Sequence, residues 1–283
     1  MIRLGVRLAR AHAQAALPVL LELSPGGLEE VDIDEATVEY VLYGAAEALP
    51  GEGELRELLG EALRGSDRRE IGEDWQERWR EFHQPLRVAD RFRVRAPWHA
   101  PAGGELIELV IEPAQAFGTG AHATTRMCLE LLAALGAAGQ AHGALLDVGC
   151  GSGVLAIAAA KLGFAPVIAI DNDPLAVEAC AQNAAVNGVS VDVRAADLAR
   201  DELPAAETIV ANLLLEPLLV LAARIVAPPL RLIASGLLAP QADVVDACFQ
   251  GRLPLRVRQR RSEGEWLAVL YEHGPQPPYP LFR

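Results

Sequence analysis

The run Leu145-Leu146-Asp147-Val148-Gly149-Cys150-Gly151-Ser152-Gly153 constrains the fold more than any other stretch of this 283-residue chain. Apolar residues and an aspartate pass directly into alternating glycines, and an Ala-rich apolar segment follows. A buried parallel strand that ends in a tight turn at a helix N-terminus has this pattern. Glycine reaches positive φ there and lets a ligand approach the main chain. N–H groups at the start of the helix, over 152–162, then face that ligand.

The spacing narrows the ligand. A dinucleotide fingerprint is Gly-x-Gly-x-x-Gly, and the place of its third glycine is held by Val154. The chain instead has Gly149-x-Gly151-x-Gly153 with Asp147 two residues ahead. The next predicted strand, 167–170, ends in Asp171, where a carboxylate can accept both hydroxyls of a ribose. Asp-x-Gly-x-Gly-x-Gly followed by an acidic strand end resembles motifs one and two of class I S-adenosylmethionine-dependent methyltransferases. A structural glycine turn in another α/β domain is the competing reading.

Upstream, residues 2–8 alternate as a strand, 11–23 read as a helix stopped by Ser24-Pro25-Gly26-Gly27, and 37–43 are β-branched and aromatic. Leu55, Leu58, Leu59 and Leu63 share one face of a predicted helix over 54–63, and 68–71 read as a closing strand. That order predicts a small α+β ferredoxin-like domain. Residues 1–71 hold 14 acidic side chains against 7 arginines, a net −7 of the chain's −13. A solvated acidic surface accounts for this on its own. Trp75, Trp79 and Phe82 then form one stripe of a predicted helix, read as packing between domains. His83 has no partner at metal-ligand spacing, and 91–95 and 106–111 alternate as a hairpin-like lead-in.

The loop Phe117-Gly118-Thr119-Gly120-Ala121-His122-Ala123-Thr124-Thr125 precedes an amphipathic helix over 126–135. Thr124 or Thr125 can cap that helix, and a cofactor lid is an equal alternative. A lone His122 in such a loop is structural more often than a base. Past the glycine motif, Asp173-Pro174 opens a helix, and a strand over 191–194 leads to Asp197, an acceptor for an adenine amino group or part of a surface turn. A strand over 208–211 ends at Asn212, the end of the sheet where ligands sit. Strands at 230–235, 253–260 and 266–271 complete the sheet, the last two as a hairpin, before a Pro-rich tail.

Composition sets the compartment and the partners. A 51% hydrophobic, 22% charged chain is globular, and 24 arginines stand against the single Lys161. A net charge of −13 disfavours a polyphosphate partner such as nucleic acid and suits a basic protein or a small cation. The cysteines Cys128, Cys150, Cys180 and Cys248 have no metal-like spacing, so a reducing compartment is expected. The apolar run over 15–21 is too short for a signal peptide and contains Pro18, so the expected location is cytoplasmic, with no membrane partner.

From the Trp75/Trp79/Phe82/Pro85 segment onward, the chain resembles the bacterial ribosomal protein L11 methyltransferases. The resemblance rests on Phe117-Gly118-Thr119-Gly120-x-His122-x-Thr124-Thr125, Asp147–Gly153, Asp171-x-Asp173-Pro174, Asn212-Leu213-Leu214-x-x-Pro217-Leu218 and Ser235-Gly236-Leu237-Leu238-x-x-Gln241. It departs at Ala121, where the family usually has Thr, and at Glu112, where it usually has Asp. The resemblance implies a Rossmann-like seven-stranded sheet over 97–272, a substrate-recognition domain over 1–71, a linker helix and lead-in over 72–96, and a tail over 273–283. S-adenosylmethionine is the implied methyl donor, with no metal. Thr125, Gly149, Asp171 and Asn212 are its implied contacts, and the glycine motif and its surroundings add Asp147, Gly151, Gly153 and Asp197. The implied reaction is repeated methylation of lysine ε-amino and α-amino groups of ribosomal protein L11, taken free of the ribosome. Asn212 cannot take a proton, but its side-chain oxygen can accept an amine N–H and aim the lone pair. The apolar Leu213-Leu214-Leu215 that follows has no ring for stacking a planar amide or base. Another protein lysine or small amine as substrate, and a non-catalytic binding module on the same fold, are the alternatives.

Overall fold

The computed structural model describes residues 2–23, 29–34, 36–44, 46, 48–70, 84–112 and 122–274. The predicted turn at 24–27, the Trp75/Trp79/Phe82 helix, the Gly-Thr-Gly part of the loop before His122 and the tail from 275 lie outside the described residues. Contacts divide the chain into two compact units, the first holding the described residues up to 84 and the second those from 85 onward.

The first unit runs β1 (Ile2–Ala9), α1 (Arg10–Leu23), β2 (Glu29–Asp32), β3 (Thr37–Gly44), α2 (Glu52–Leu59) and β4 (Leu63–Glu70). Its sheet is antiparallel in the order β2-β3-β1-β4, the ferredoxin-like arrangement. Leu4, Val6 and Leu8 alternate onto one face and join Ala13, Ala16 and Leu20 of α1 and Leu55 and Leu59 of α2. The intervening residues carry charge: Arg3 and Arg7 pair with Glu39 at 2.6 and 3.0 Å, and Arg7 also reaches Asp67 at 3.2 Å. The predicted helix over 54–63 ends early. Leu59 gives way to a 3-10 turn at Gly60–Ala62, and Leu63 is already in β4, which is longer than the 68–71 expected. Pairing with β1 along its length recruits polar residues that carry no strand signal of their own.

The second unit opens with β5 (Leu86–Val88), β6 (Phe92–Arg95) and β7 (Ile107–Val110). The expected hairpin is corrected here: β6 is antiparallel to β5 but parallel to β7. The chain crosses back over 96–106, and Glu108 of β7 fixes the crossing by accepting from Arg93, Arg95 and the Ala102 N–H. Next come α3 (Ala123–Ala137), β8 (Leu145–Val148), α4 (Val154–Leu162), β9 (Val167–Asp171), α5 (Pro174–Val186), β10 (Asp192–Ala195), β11 (Thr208–Asn212), α6 (Leu215–Arg224), β12 (Arg231–Leu238), α7 (Ala242–Arg252), β13 (Leu255–Glu263) and β14 (Trp266–His273). They build a seven-stranded sheet in the order β10-β9-β8-β11-β12-β14-β13. The five strands from β10 to β12 are parallel, and β14 inserts antiparallel between β12 and β13.

Burial on both faces explains the unbroken apolar runs of the central strands. One core layer holds Leu145, Val210 and Ile233 with residues of α3, α4 and α5. The other holds Leu146, Val148, Ile209 and Leu232 with Leu218 and Leu221 of α6 and Val245 and Phe249 of α7. Successive strand residues thus serve opposite layers, and the carboxyl ends of β8, β9 and β11 emerge side by side. Among the described residues, no helix is long and apolar enough to cross a membrane.

Candidate active site

β8 delivers the chain to the middle of the sheet's carboxyl edge, where Gly149, Gly151 and Gly153 take φ values of 72°, 51° and 80°. All three are left-handed, which is why the motif repeats glycine at alternate positions. Gly149 is also excluded from bearing a side chain by sterics, since a Cβ would lie 2.4 Å from Leu213 Cδ2. The neighbouring strand holds the turn. The N–H groups of Gly149 and Cys150 both donate to the Ile170 carbonyl, at 2.9 and 3.1 Å. Gly151 N–H donates to Asp171 Oδ2 at 2.9 Å. The other Asp171 oxygen accepts from Asp173 N–H at 3.0 Å, and Asp173 in turn caps α5 through Leu175 N–H.

Beside this turn lies a cavity of about 330 Å³, within the range of about 300–1,000 Å³ seen for small-molecule sites. Gly149, Asp171 and Asp197 line it, with apolar walls from Ile170, Leu198, Leu213, Pro217 and Val220. Asp197 is on the wall, and its carboxylate also serves a local turn: Oδ1 accepts from Ala199 N–H at 2.8 Å and Oδ2 pairs with Arg200 at 3.3 Å.

Asp147 sits differently. It is 1% exposed, in the sheet rather than on the cavity wall. Its Oδ2 accepts from Ala156 N–H at 3.0 Å, while Oδ1 has no partner. Gly153 is the N-cap of α4 and has no side chain, so Asp147 supplies from the preceding strand the acceptor an N-cap would give. Burial pushes its carboxyl up to about 7; the Ala156 hydrogen bond opposes this and the Asp171 charge adds to it.

Asn212 ends β11, and its Nδ2 donates to Thr125 Oγ1 at 3.3 Å. The structure thus brings together two of the predicted residues from segments 87 positions apart. Neither Thr124 nor Thr125 caps α3. The helix begins at Ala123, and His122 is the cap, its Nδ1 accepting from Thr124 N–H at 3.4 Å and lying 2.8 Å from Thr124 Oγ1. The His122 ring meets Trp266 edge-on with centroids 4.9 Å apart. Burial lowers its pKa, and Arg126 lowers it further.

Leu213 and Gly236 contribute in a way that their motifs did not indicate. Leu213 donates its N–H to the Ser235 carbonyl at 3.0 Å, and Gly236, at φ 84°, lies so close that a Cβ there would be 2.4 Å from Leu213 O. Gly149 and Gly236 therefore clamp Leu213 from its side chain and its backbone, and this fixes the residue after Asn212. A glycine just past a strand end was the available signal. Trp266 places an aromatic ring against His122, the cap of the helix that carries Thr125.

These residues fit S-adenosylmethionine. A side chain at Gly149 would collide with the wall residue Leu213, Asp171 ends the strand at the wall, and the apolar side chains of the wall suit an aromatic base. A left-handed glycine turn, an acidic end to the adjacent strand and a parallel sheet closed by an antiparallel seventh strand define a class I S-adenosylmethionine-dependent methyltransferase.

The family model for ribosomal protein L11 methyltransferase (PrmA) matches residues 57–273. A ribosomal protein L11 methyltransferase from Symbiobacterium thermophilum is 40% identical over 203 residues, covering 70% of this chain and 65% of the relative. One from Burkholderia lata is 34% identical over 94% of this chain and 96% of its own length. The crystal structure of a ribosomal protein L11 methylase from Lactobacillus delbrueckii subsp. bulgaricus superimposes with a TM-score of 0.57 at 27% identity, over 67% of this chain and 98% of that one. The chain belongs to the ribosomal protein L11 methyltransferase family.

Proposed function

We propose that this protein methylates lysine ε-amino and α-amino groups of ribosomal protein L11 in the cytoplasm, taking that protein before it joins the ribosome. The observation that carries the reading is the pairing of Asn212 with Thr125 one residue from the cavity wall at Leu213. With Nδ2 committed to Thr125, the amide orientation points Asn212 Oδ1 toward the role of acceptor for an amine N–H. S-adenosylmethionine, when bound, supplies a methyl group activated by a sulfonium. The protein's contribution is alignment of the incoming lone pair. Gly149 and Asp171 receive the cofactor, Asp147, Gly151 and Gly153 hold the turn that receives it, and Asp197 borders its base.

Residues 1–71 are assigned to substrate recognition, those from 97 to 272 to the reaction. The −7 of the first stretch supports a basic protein partner and disfavours RNA. The test is mass spectrometry of ribosomal protein L11 incubated with the enzyme and labelled donor, free and within large subunits. Label on the free protein, captured more slowly as salt rises and the Debye length falls below about 8 Å, is the expected result. Equal or faster labelling of assembled subunits would overturn the free-protein assignment, and label on a different protein only would overturn the substrate.

A further inference from the structure

Asn183 of α5 and Asn187, which caps that helix at its C-terminus, satisfy a strand edge that has no strand beside it among the described residues. β7 is the last strand of its three-stranded sheet, so alternate residues turn N–H and C=O groups away from β6. Asn187 takes both groups of Val110: its Oδ1 accepts from Val110 N–H at 3.0 Å and its Nδ2 donates to Val110 C=O at 2.7 Å. Asn183 Oδ1 accepts from Glu112 N–H at 3.0 Å. The match is geometric. Four residues of helix rise about 6 Å and two residues of strand about 6.7 Å, so amides one helical turn apart meet alternate strand residues.

Asn183 does more than its neighbour. It is 2% exposed, and its Nδ2 donates to Ser152 C=O at 2.9 Å. Ser152 lies between the left-handed Gly151 and Gly153. The peptide joining Ser152 to Gly153 is therefore pinned at both ends, since Gly153 N–H donates to Cys150 C=O at 2.8 Å. The left-handed Gly153 on one side lets such a peptide plane rotate more cheaply, and these two bonds oppose the rotation.

We propose that Asn183 is a positioning residue for the methyl-transfer site: its one amide locks the peptide plane of the cofactor turn and ties it to the end of β7. This rests on the reading of that turn as the S-adenosylmethionine site. Asn187 stabilises the same strand edge without touching the turn. The two roles separate by substitution. Asn183→Asp keeps an acceptor for Glu112 N–H but removes the donor to Ser152 C=O, whereas Asn187→Ala removes the strand-edge bonds and an Nδ2 bond to the Asn183 backbone C=O, none of which reaches the turn.

The test is calorimetric titration of the full chain and both variants with S-adenosylhomocysteine, alongside thermal melts and the split between kcat and donor KM. Asn183→Asp is expected to weaken binding and raise donor KM about tenfold, the worth of one buried hydrogen bond, with little change in kcat. Asn187→Ala is expected to lower the melting temperature with affinity unchanged. If both variants lose melting temperature alike and both bind normally, Asn183 is structural only and the proposal falls. If Asn183→Asp does not fold, Asn183→Ser, a shorter side chain that retains a donor, must show the same affinity loss in a folded chain. Absence of binding by the unsubstituted chain would instead overturn the reading of the site.

Discussion

Asp171 holds the glycine turn and borders the cavity, so its loss acts on the cofactor twice over. Asp171→Ala should weaken S-adenosylmethionine binding by roughly 2–3 kcal/mol, since bonds to a charged acceptor are worth about 1.5–3 kcal/mol. Unchanged affinity by calorimetry would mean that the ribose is held elsewhere. Asp147, on the neighbouring strand β8, makes a prediction about pH. Its folded pKa of about 7 lies above the ordinary 3.8, with burial as the main cause. Between those values the folded chain binds more protons than the unfolded one, so this residue's contribution to stability falls as pH rises from about 4 to about 7 and then levels. Asp147→Asn removes the titration. The difference in stability between the two proteins, followed by denaturant melts across that window, should therefore change steeply with pH. A constant difference would show that the carboxyl titrates normally. None of this was visible from the motif alone. Its spacing places Asp147 beside the glycines but not on which side of the strand the carboxylate turns, and here it turns inward to Ala156.

At the scale of elements, α3 depends on His122 for its cap. His122→Ala should cost about 1 kcal/mol in a thermal melt at neutral pH, the typical worth of a cap. The burial that lowers the His122 pKa makes the folded chain bind fewer protons than the unfolded one below pH 6.5. The residue's contribution is thus present above that pH and erodes as pH falls, so the variant's deficit should shrink in acid. A deficit that grows in acid would mean His122 is stabilised as the cation. The central strands, the α5 cap at Asp173-Pro174 and the closing hairpin were legible in the sequence because each has a local cause: two-sided burial, a capping side chain, a Gly-containing turn. The parallel pairing of β6 with β7 was not legible. It is set by Arg93 and Arg95 meeting Glu108 from separate strands, and alternation reads the same for either direction. β4 was blurred for a related reason, since its pairing comes from its neighbour rather than from its own residues, whereas the polar β10 falls within one residue of the strand expected at 191–194. In the site, the glycines and strand-end residues were readable, while Leu213 and Gly236 acquire their role only when β12 is laid beside β11.

For the whole molecule, charge and topology act on different steps. Under the proposed function, the −7 of the first stretch bears on encounter with a basic partner, and the sheet of the second unit bears on everything after it. That sheet is threaded out of order: β14, after β13 in the chain, occupies the place next to β12, with Ala268 and Val269 fully buried and Leu267 C=O accepting from Ser235 Oγ. A chain ending at residue 264 would leave the edge of β12 bare and strip Ala268 and Leu270 from one core layer and Leu267, Val269 and Tyr271 from the other, so its second unit should show no cooperative melt and no S-adenosylhomocysteine binding. A normal melt from that truncation would overturn the claim. The consequence concerns synthesis. Strands β8 to β12 leave the ribosome well before their partner exists, and at about 5–20 residues per second they wait seconds for it. The nascent enzyme carries its complete glycine turn through that interval without the strand that closes the sheet behind it, so competence arrives at once, with the last strand, rather than growing as the motifs emerge.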